Sequence, residues 1–278
     1  PPVYVPPPPV YTWTGLYLGI NAGYTWSNSN AVTTVGTPIF ANPAFPAGSG
    51  AIANALAALG TTNHSLRQAG FIGGGQIGYN YQLTNSFVVG LEADIQGIAG
   101  GTKSATIGAF TLVTPFAENY VSTATVTKRV EYLGTVRGRL GFLVTPTLLA
   151  YGTGGLAYGG VRASASFAAT ESLGPATYLP VFGASSFSNT RVGWTAGGGL
   201  EWLFAPNWSL KAEYLYYDLG SFSSNLVLTQ INNIAVGGPA PWGIAGVRST
   251  TRFNGNIVRA GLNYHFNWGY PAPVVAKY

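Results

Sequence analysis

At 278 residues the chain could hold one large or two ordinary domains, yet only 8% of it is charged against ~25% in an average soluble domain, so water is not its sole solvent. Basic residues number 13 against 8 acidic ones, but they are scattered singly, which excludes the clustered face of a nucleic-acid binder. No run of 18 apolar residues offers a spanning helix, so entry into a membrane would require a closed barrel, the only strand architecture that satisfies its own backbone in lipid.

Residues 1–12 are Pro-rich and predict an extended tail, the mature end of a processed precursor. A first strand, from about Trp13 to Ser27, sets Leu16, Leu18, Ile20, Ala22, Tyr24 and Trp26 against Tyr17, Gly19, Asn21, Gly23 and Thr25. A long chargeless segment, 28–66, follows, in which Ile52, Leu56 and Leu59 have helical spacing. The second strand, Gln68 to Leu83, sets Phe71, Ile77, Tyr79 and Tyr81 against Gln76, Asn80 and Gln82, and a three-residue turn leads to a third with Phe87, Val89, Leu91, Ala93 and Ile95 opposite Glu92, Asp94 and Gln96. After a second long segment, 98–127, the fourth strand places Val130, Tyr132, Val136, Leu140 and Phe142 against Arg129, Glu131, Thr135, Arg137 and Arg139. The fifth, about Leu148 to Val161, is Gly-rich, and Ala150, Leu156 and Tyr158 are assigned to its apolar face. A third long segment, 162–189, leads to a sixth strand with Val192, Trp194, Leu200, Trp202 and Phe204 opposite Arg191, Thr195 and Glu201. The seventh sets Trp208, Leu210, Ala212, Tyr214 and Tyr216 against Ser209, Lys211, Glu213 and Tyr217. The last segment, 220–250, precedes an eighth strand, Asn256 to Phe266, where Val258, Ala260, Leu262, Tyr264 and Phe266 oppose Ile257, Arg259, Gly261, Asn263 and His265; residues 267–278 form a tail.

Eight strands joined by alternating short turns and long connections predict an all-β, antiparallel up-and-down transmembrane barrel spanning 13–266. In that layout the long loops are extracellular and both tails periplasmic. Eleven of the 21 charged side chains share the polar faces: Glu92, Asp94, Arg129, Glu131, Arg137, Arg139, Arg191, Glu201, Lys211, Glu213 and Arg259. Inside a bore that eight strands leave only wide enough for side chains, such near-balanced charges pair into a plug rather than line an ion path. On the apolar faces Trp26, Tyr132, Trp194, Tyr214 and Tyr216 mark the loop side and Trp202, Phe204, Trp208 and Tyr264 the turn side, the two girdles expected where lipid meets water.

The segment Tyr11-Thr-Trp-Thr-Gly-Leu-Tyr-Leu-Gly-Ile-Asn-Ala-Gly-Tyr, with Tyr151-Gly-Thr-Gly-Gly-Leu-Ala-Tyr and Gly261-Leu-Asn-Tyr-His-Phe, resembles the small outer-membrane proteins of alphaproteobacteria known as outer-membrane immunogenic or porin-family proteins. The resemblance implies an OmpA-like barrel with a structural or surface role and no catalysis. It also implies that Phe266 matches the terminal aromatic that the barrel-assembly machinery reads, although twelve residues follow it here. The alternative is a small diffusion porin. Expected partners are outer-membrane lipid and lipopolysaccharide, the assembly machinery, and a second copy or neighbouring envelope proteins meeting the loops and Pro-rich tails; nucleic acid, cofactors and metals are not expected. Only His64 and His265 could serve a catalytic site, and sequence places them at opposite ends of the barrel.

Overall fold

The computed structural model describes residues 12–44, 46–100, 102–113, 118–173, 180–232 and 240–266. Nearly all of the expected N-terminal tail, and the whole C-terminal one, fall outside these. The strands are β1 (Gly15–Ser27), β2 (Ala31–Ala41), β3 (Thr62–Ser65), β4 (Ala69–Gln82), β5 (Phe87–Ala99), β6 (Lys103–Val113), β7 (Glu118–Thr145), β8 (Leu148–Leu173), β9 (Val181–Ala205), β10 (Trp208–Asn232) and β11 (Ala240–Phe266), with one helix, α1 (Pro46–Leu59).

Eight of these strands make the ring β1-β4-β5-β7-β8-β9-β10-β11, and β1 pairs back onto β11, from Leu16 opposite Phe266 to Ser27 opposite Gly255. Closure leaves the ring itself no open edge, which is what lipid demands of a sheet. Alternation then sorts the side chains as the sequence predicts. Ile20, Phe71, Leu91, Leu140, Val192 and Val258 lie exposed on the outside, while their neighbours in the chain point into the bore. On β8, Leu156 is outward and Leu149, Tyr151 and Ala157 are inward, which settles the facing of the Gly-rich strand. From Tyr132 to Phe142 is ten residues of β7, about 25 Å along the membrane normal at a tilt of ~40°.

One inserted residue changes the pattern. The β7–β8 register jumps between Val130, opposite Val161, and Tyr132, opposite Gly160, so Glu131 is a bulge and everything N-terminal to it on β7 reverses its facing. Val130, expected outside, is therefore buried in the bore.

The long connections are not separate loops, because the strands run on beyond the lipid band. β9 and β10 are hydrogen-bonded only from the turn to the pair Trp194–Asp218. Past that point the cylinder divides into two sheets: β6-β7-β8-β9, and β3-β2-β11-β10. Between them lies a dry core that includes Val32, Val126, Phe167, Leu226, Leu228 and Val247, into which α1 inserts Ile52, Leu56 and Leu59. The helix carries no charge, and its small residues allow close packing: a Cβ on Gly36 would lie 2.1 Å from the Ala57 carbonyl oxygen. Burying each of the three large side chains of α1 contributes roughly 1.5–3 kcal/mol. The apolar stretches of the long segments thus have an interior to fill, although Phe110, Leu112 and Val227 remain exposed.

Candidate functional site: the charged interior

Eight of the expected interior charges converge in the lower half of the bore, four basic and four acidic. Adjacent strands deliver them from neighbouring rungs: Glu92 lies opposite Arg137 across β5–β7, Lys211 opposite Glu201 across β9–β10, and Glu213 opposite Arg259 across β10–β11. Register alone therefore sets opposite charges side by side.

The centre is a lattice around Arg137. Its guanidinium bridges Glu213 at 2.9 Å, Asp94 at 3.0 Å and Glu92, while its Nε donates to Thr135 Oγ1 at 2.9 Å. Arg259 joins Glu213 at 2.5 Å to Asp94 at 2.8 Å, and Lys211 Nζ donates to both oxygens of Glu92 at 2.8 Å. Arg139 reaches Glu201 at 2.5 Å and lies over the ring of Tyr151, 4.0 Å from its centroid. Neutral groups take the remaining lone pairs: Tyr17 donates to Glu92 at 2.6 Å, Tyr151 to Glu213 at 3.0 Å, and Ser209 and Asn263 to Glu201 at 2.6 and 2.7 Å. Every one of the eight charged residues is at least 95% buried.

Three expected members lie elsewhere. The bulge turns Arg129 and Glu131 away from the bore, and half-exposed Glu131 pairs with Arg162 at 3.2 Å on the outer face. Arg191 keeps its inward parity but sits where β9 parts from β10, and its guanidinium donates to the Ser221 carbonyl at 2.8 Å, across the seam.

Apolar layers flank the lattice on both sides. Above it lie Ile72, Leu133, Leu215, Phe253 and Ile257, followed by the helix-filled core. Below it, Trp13 is 1% exposed among Val88, Leu143, Leu149 and Leu203, and its indole donates to the Pro146 carbonyl at 3.1 Å. Trp13 was legible only as the start of a strand; its odd-numbered parity was the available signal for a lid across the turn-side mouth.

His265 meets Trp13 edge-on at 5.9 Å and Tyr17 at 5.4 Å, and its Nε2 lies 2.8 Å from Ser209 Oγ and 3.5 Å from Glu201. These are the residue types of a catalytic triad. Serine and carboxylate, however, share one imidazole nitrogen, so the carboxylate cannot orient the ring from its far side. All three are also buried. His64 sits in the upper core beside Thr62 Oγ1 at 2.7 Å, where burial lowers its pKa, so the two histidines belong to different sites.

The residues expected in the girdles, Trp26, Tyr132, Trp194, Trp202, Phe204, Trp208, Tyr214, Tyr216 and Tyr264, all lie on the outer face. Several meet in pairs, such as Trp208–Tyr264 at 5.1 Å and Trp194–Tyr216 at 5.3 Å. Phe266 stacks edge-on against Tyr264 at 5.0 Å, at the end of the closing strand.

A family model described as the outer membrane protein beta-barrel domain matches residues 3–266. The 31 kDa outer-membrane immunogenic protein of Brucella melitensis is 35% identical over 260 residues, covering 94% of this chain and 86% of that protein. The 22 kDa outer membrane protein of Rhizobium leguminosarum is 33% identical over 161 residues, or 54% of this chain and 58% of its own. Among solved structures, the outer membrane protein OprG of Pseudomonas aeruginosa aligns over 92% of this chain and 99% of its own, with 10% identity and a TM-score of 0.36.

Proposed function

Because the chain belongs to the outer membrane protein beta-barrel family, we propose that it works as a sealed structural barrel of the Gram-negative outer membrane, presenting its long upper sheets to the surface, and not as a diffusion porin or an enzyme. The observation that carries this reading is the lattice itself: four cations and four carboxylates bonded to one another in the bore, with apolar layers above and below. A permeating ion would have to break several charge-assisted hydrogen bonds at once and then cross a mainly apolar layer that solvates it poorly. The test is single-channel recording in planar bilayers. The expected trace shows no reproducible open level, whereas steady levels that change in Arg137→Ala would overturn the sealed reading in favour of the porin.

In this role the upper sheets, with Phe110 and Leu112 exposed, are the surface for a second copy or a neighbouring envelope protein. Phe266, closing the ring beside Tyr264, is the side chain offered to the assembly machinery. Phe266→Ala is expected to lower the folded, membrane-inserted fraction severalfold, read as heat-modifiable migration on gels; unchanged insertion would remove the residue from that role.

A further inference from the structure

The bulge that takes Arg129 and Glu131 out of the bore builds something on the outside. Arg129 and Arg162 are register partners across β7–β8, so their side chains leave the same face of the sheet directly opposite one another. Like charges in that position repel, and only one of them is answered: Glu131 pairs with Arg162 at 3.2 Å. Arg129 Nε is buried and has no hydrogen-bond partner among the described residues. The two arginines line a cavity of about 470 Å³ with hydroxyls on three strands, among them Thr127, Ser164 and Ser188. Ser188 is the register partner of Arg162 across β8–β9, which extends the row of donors to Arg129, Arg162 and Ser188.

The height of this cleft identifies what it meets. Tyr132, the outward aromatic of β7, donates to or accepts from Thr190 at 2.8 Å and marks the upper edge of the lipid band. Arg129 lies three residues beyond it, and Arg162 two residues beyond Gly160, the partner of Tyr132. Aromatic belts sit at headgroup level, so a cationic row one or two rungs further out, at about 3.3 Å per residue, faces the phosphates of the outer leaflet. Two guanidiniums carry the planar forks that suit phosphate oxygens, and the hydroxyls supply further donors.

We propose that this outward cleft binds a phosphate of a phosphorylated glycolipid in the outer leaflet, the class to which the lipid A of lipopolysaccharide belongs. Arg129 makes the primary contact, and Arg162 is recruited as the phosphate displaces Glu131. The proposal rests on the outer-membrane placement and not on the sealed lumen, so a conductance result leaves it standing or falling on its own.

The test uses the refolded full-length chain in zwitterionic detergent, with folding of every variant checked by heat-modifiable migration. Binding of diphosphoryl lipid A is titrated beside the same lipid stripped of its phosphates and beside inorganic phosphate. Arg129→Gln/Arg162→Gln is expected to weaken diphosphoryl lipid A tenfold or more while leaving the stripped lipid unaffected, and Glu131→Gln to tighten it severalfold by freeing Arg162. Equal binding of the two lipids, or unchanged affinity in the folded double variant, would overturn the site. Inorganic phosphate competing at the same concentration as the lipid would overturn the lipid as its source.

Discussion

Arg137 shows what a buried charge does in this barrel at the scale of one residue. It touches three carboxylates, so its removal strands more charge than it takes away. Breaking a buried pair from one side costs about 3–5 kcal/mol, because the abandoned partner remains desolvated. Arg137→Leu is therefore expected to lower the unfolding free energy of the refolded barrel, read by urea titration, by that order, and Arg137→Leu/Glu213→Leu to recover part of the loss. Equal destabilisation in both variants would mean that Glu213 does not depend on Arg137. Glycine is the second constraint at this scale. The ring of Tyr17 lies where a side chain at position 78 would begin, 2.3 Å from a Cβ built on Gly78. Gly78→Val would displace that ring and break its hydrogen bond to Glu92, so it is expected to destabilise the barrel by about 1–3 kcal/mol in the same urea measurement.

At the scale of elements, α1 separates two kinds of stability. It packs between the upper sheets and makes no part of the ring. Leu56→Asp places a charge in an apolar core, and the expected result is rapid proteolysis within residues 28–66 while the ring still migrates as a folded barrel. Loss of both together would show that helix and ring form one cooperative unit. The ring was legible in sequence because lipid on one side and a filled bore on the other impose the same two-residue period on every strand. The helix was legible from Ile52, Leu56 and Leu59 alone. The division into two sheets was not, because above the lipid band an outward position can be as apolar as an inward one: Phe110 is exposed and Val113 buried in the same strand, so the alternation does not tell the faces apart. The bulge at Glu131 was hidden for a different reason. A single extra residue leaves composition and local pattern intact while reversing every facing beyond it, which is how Val130 came to be placed outside and Arg129 inside.

For the whole molecule, the question is what joins the two upper sheets once the β9–β10 ladder stops. Arg191 bonds Ser221 across that seam, and Phe187 stacks on Phe222 at 3.6 Å. On the other side, Lys128 extends inward from β7, four residues beyond Tyr132, and its ammonium donates to the carbonyls of Ser29, at 3.2 Å, and Arg252, over the ring of Phe253. It thereby ties β7 to β11 and to the chain leaving β1. No carboxylate pairs with it among the described residues, and burial pushes its pKa down to about 8. An unfolded chain would hold that proton to the ordinary lysine value near 10.4. Between about pH 8 and 10 the unfolded state therefore binds more protons, and stability of the upper sheets should rise with pH, by at most roughly 3 kcal/mol across the window. The check is the proteolysis rate of the upper sheets between pH 7.5 and 9.5, at matched protease activity. The intact chain should become more resistant as pH rises. Lys128→Met, which has no proton to release, should lose that slope, even though leaving two carbonyls without their donor makes it less resistant at every pH. A slope that survives in Lys128→Met would assign the pH response to another group and leave Lys128 as a hydrogen-bonding strut alone.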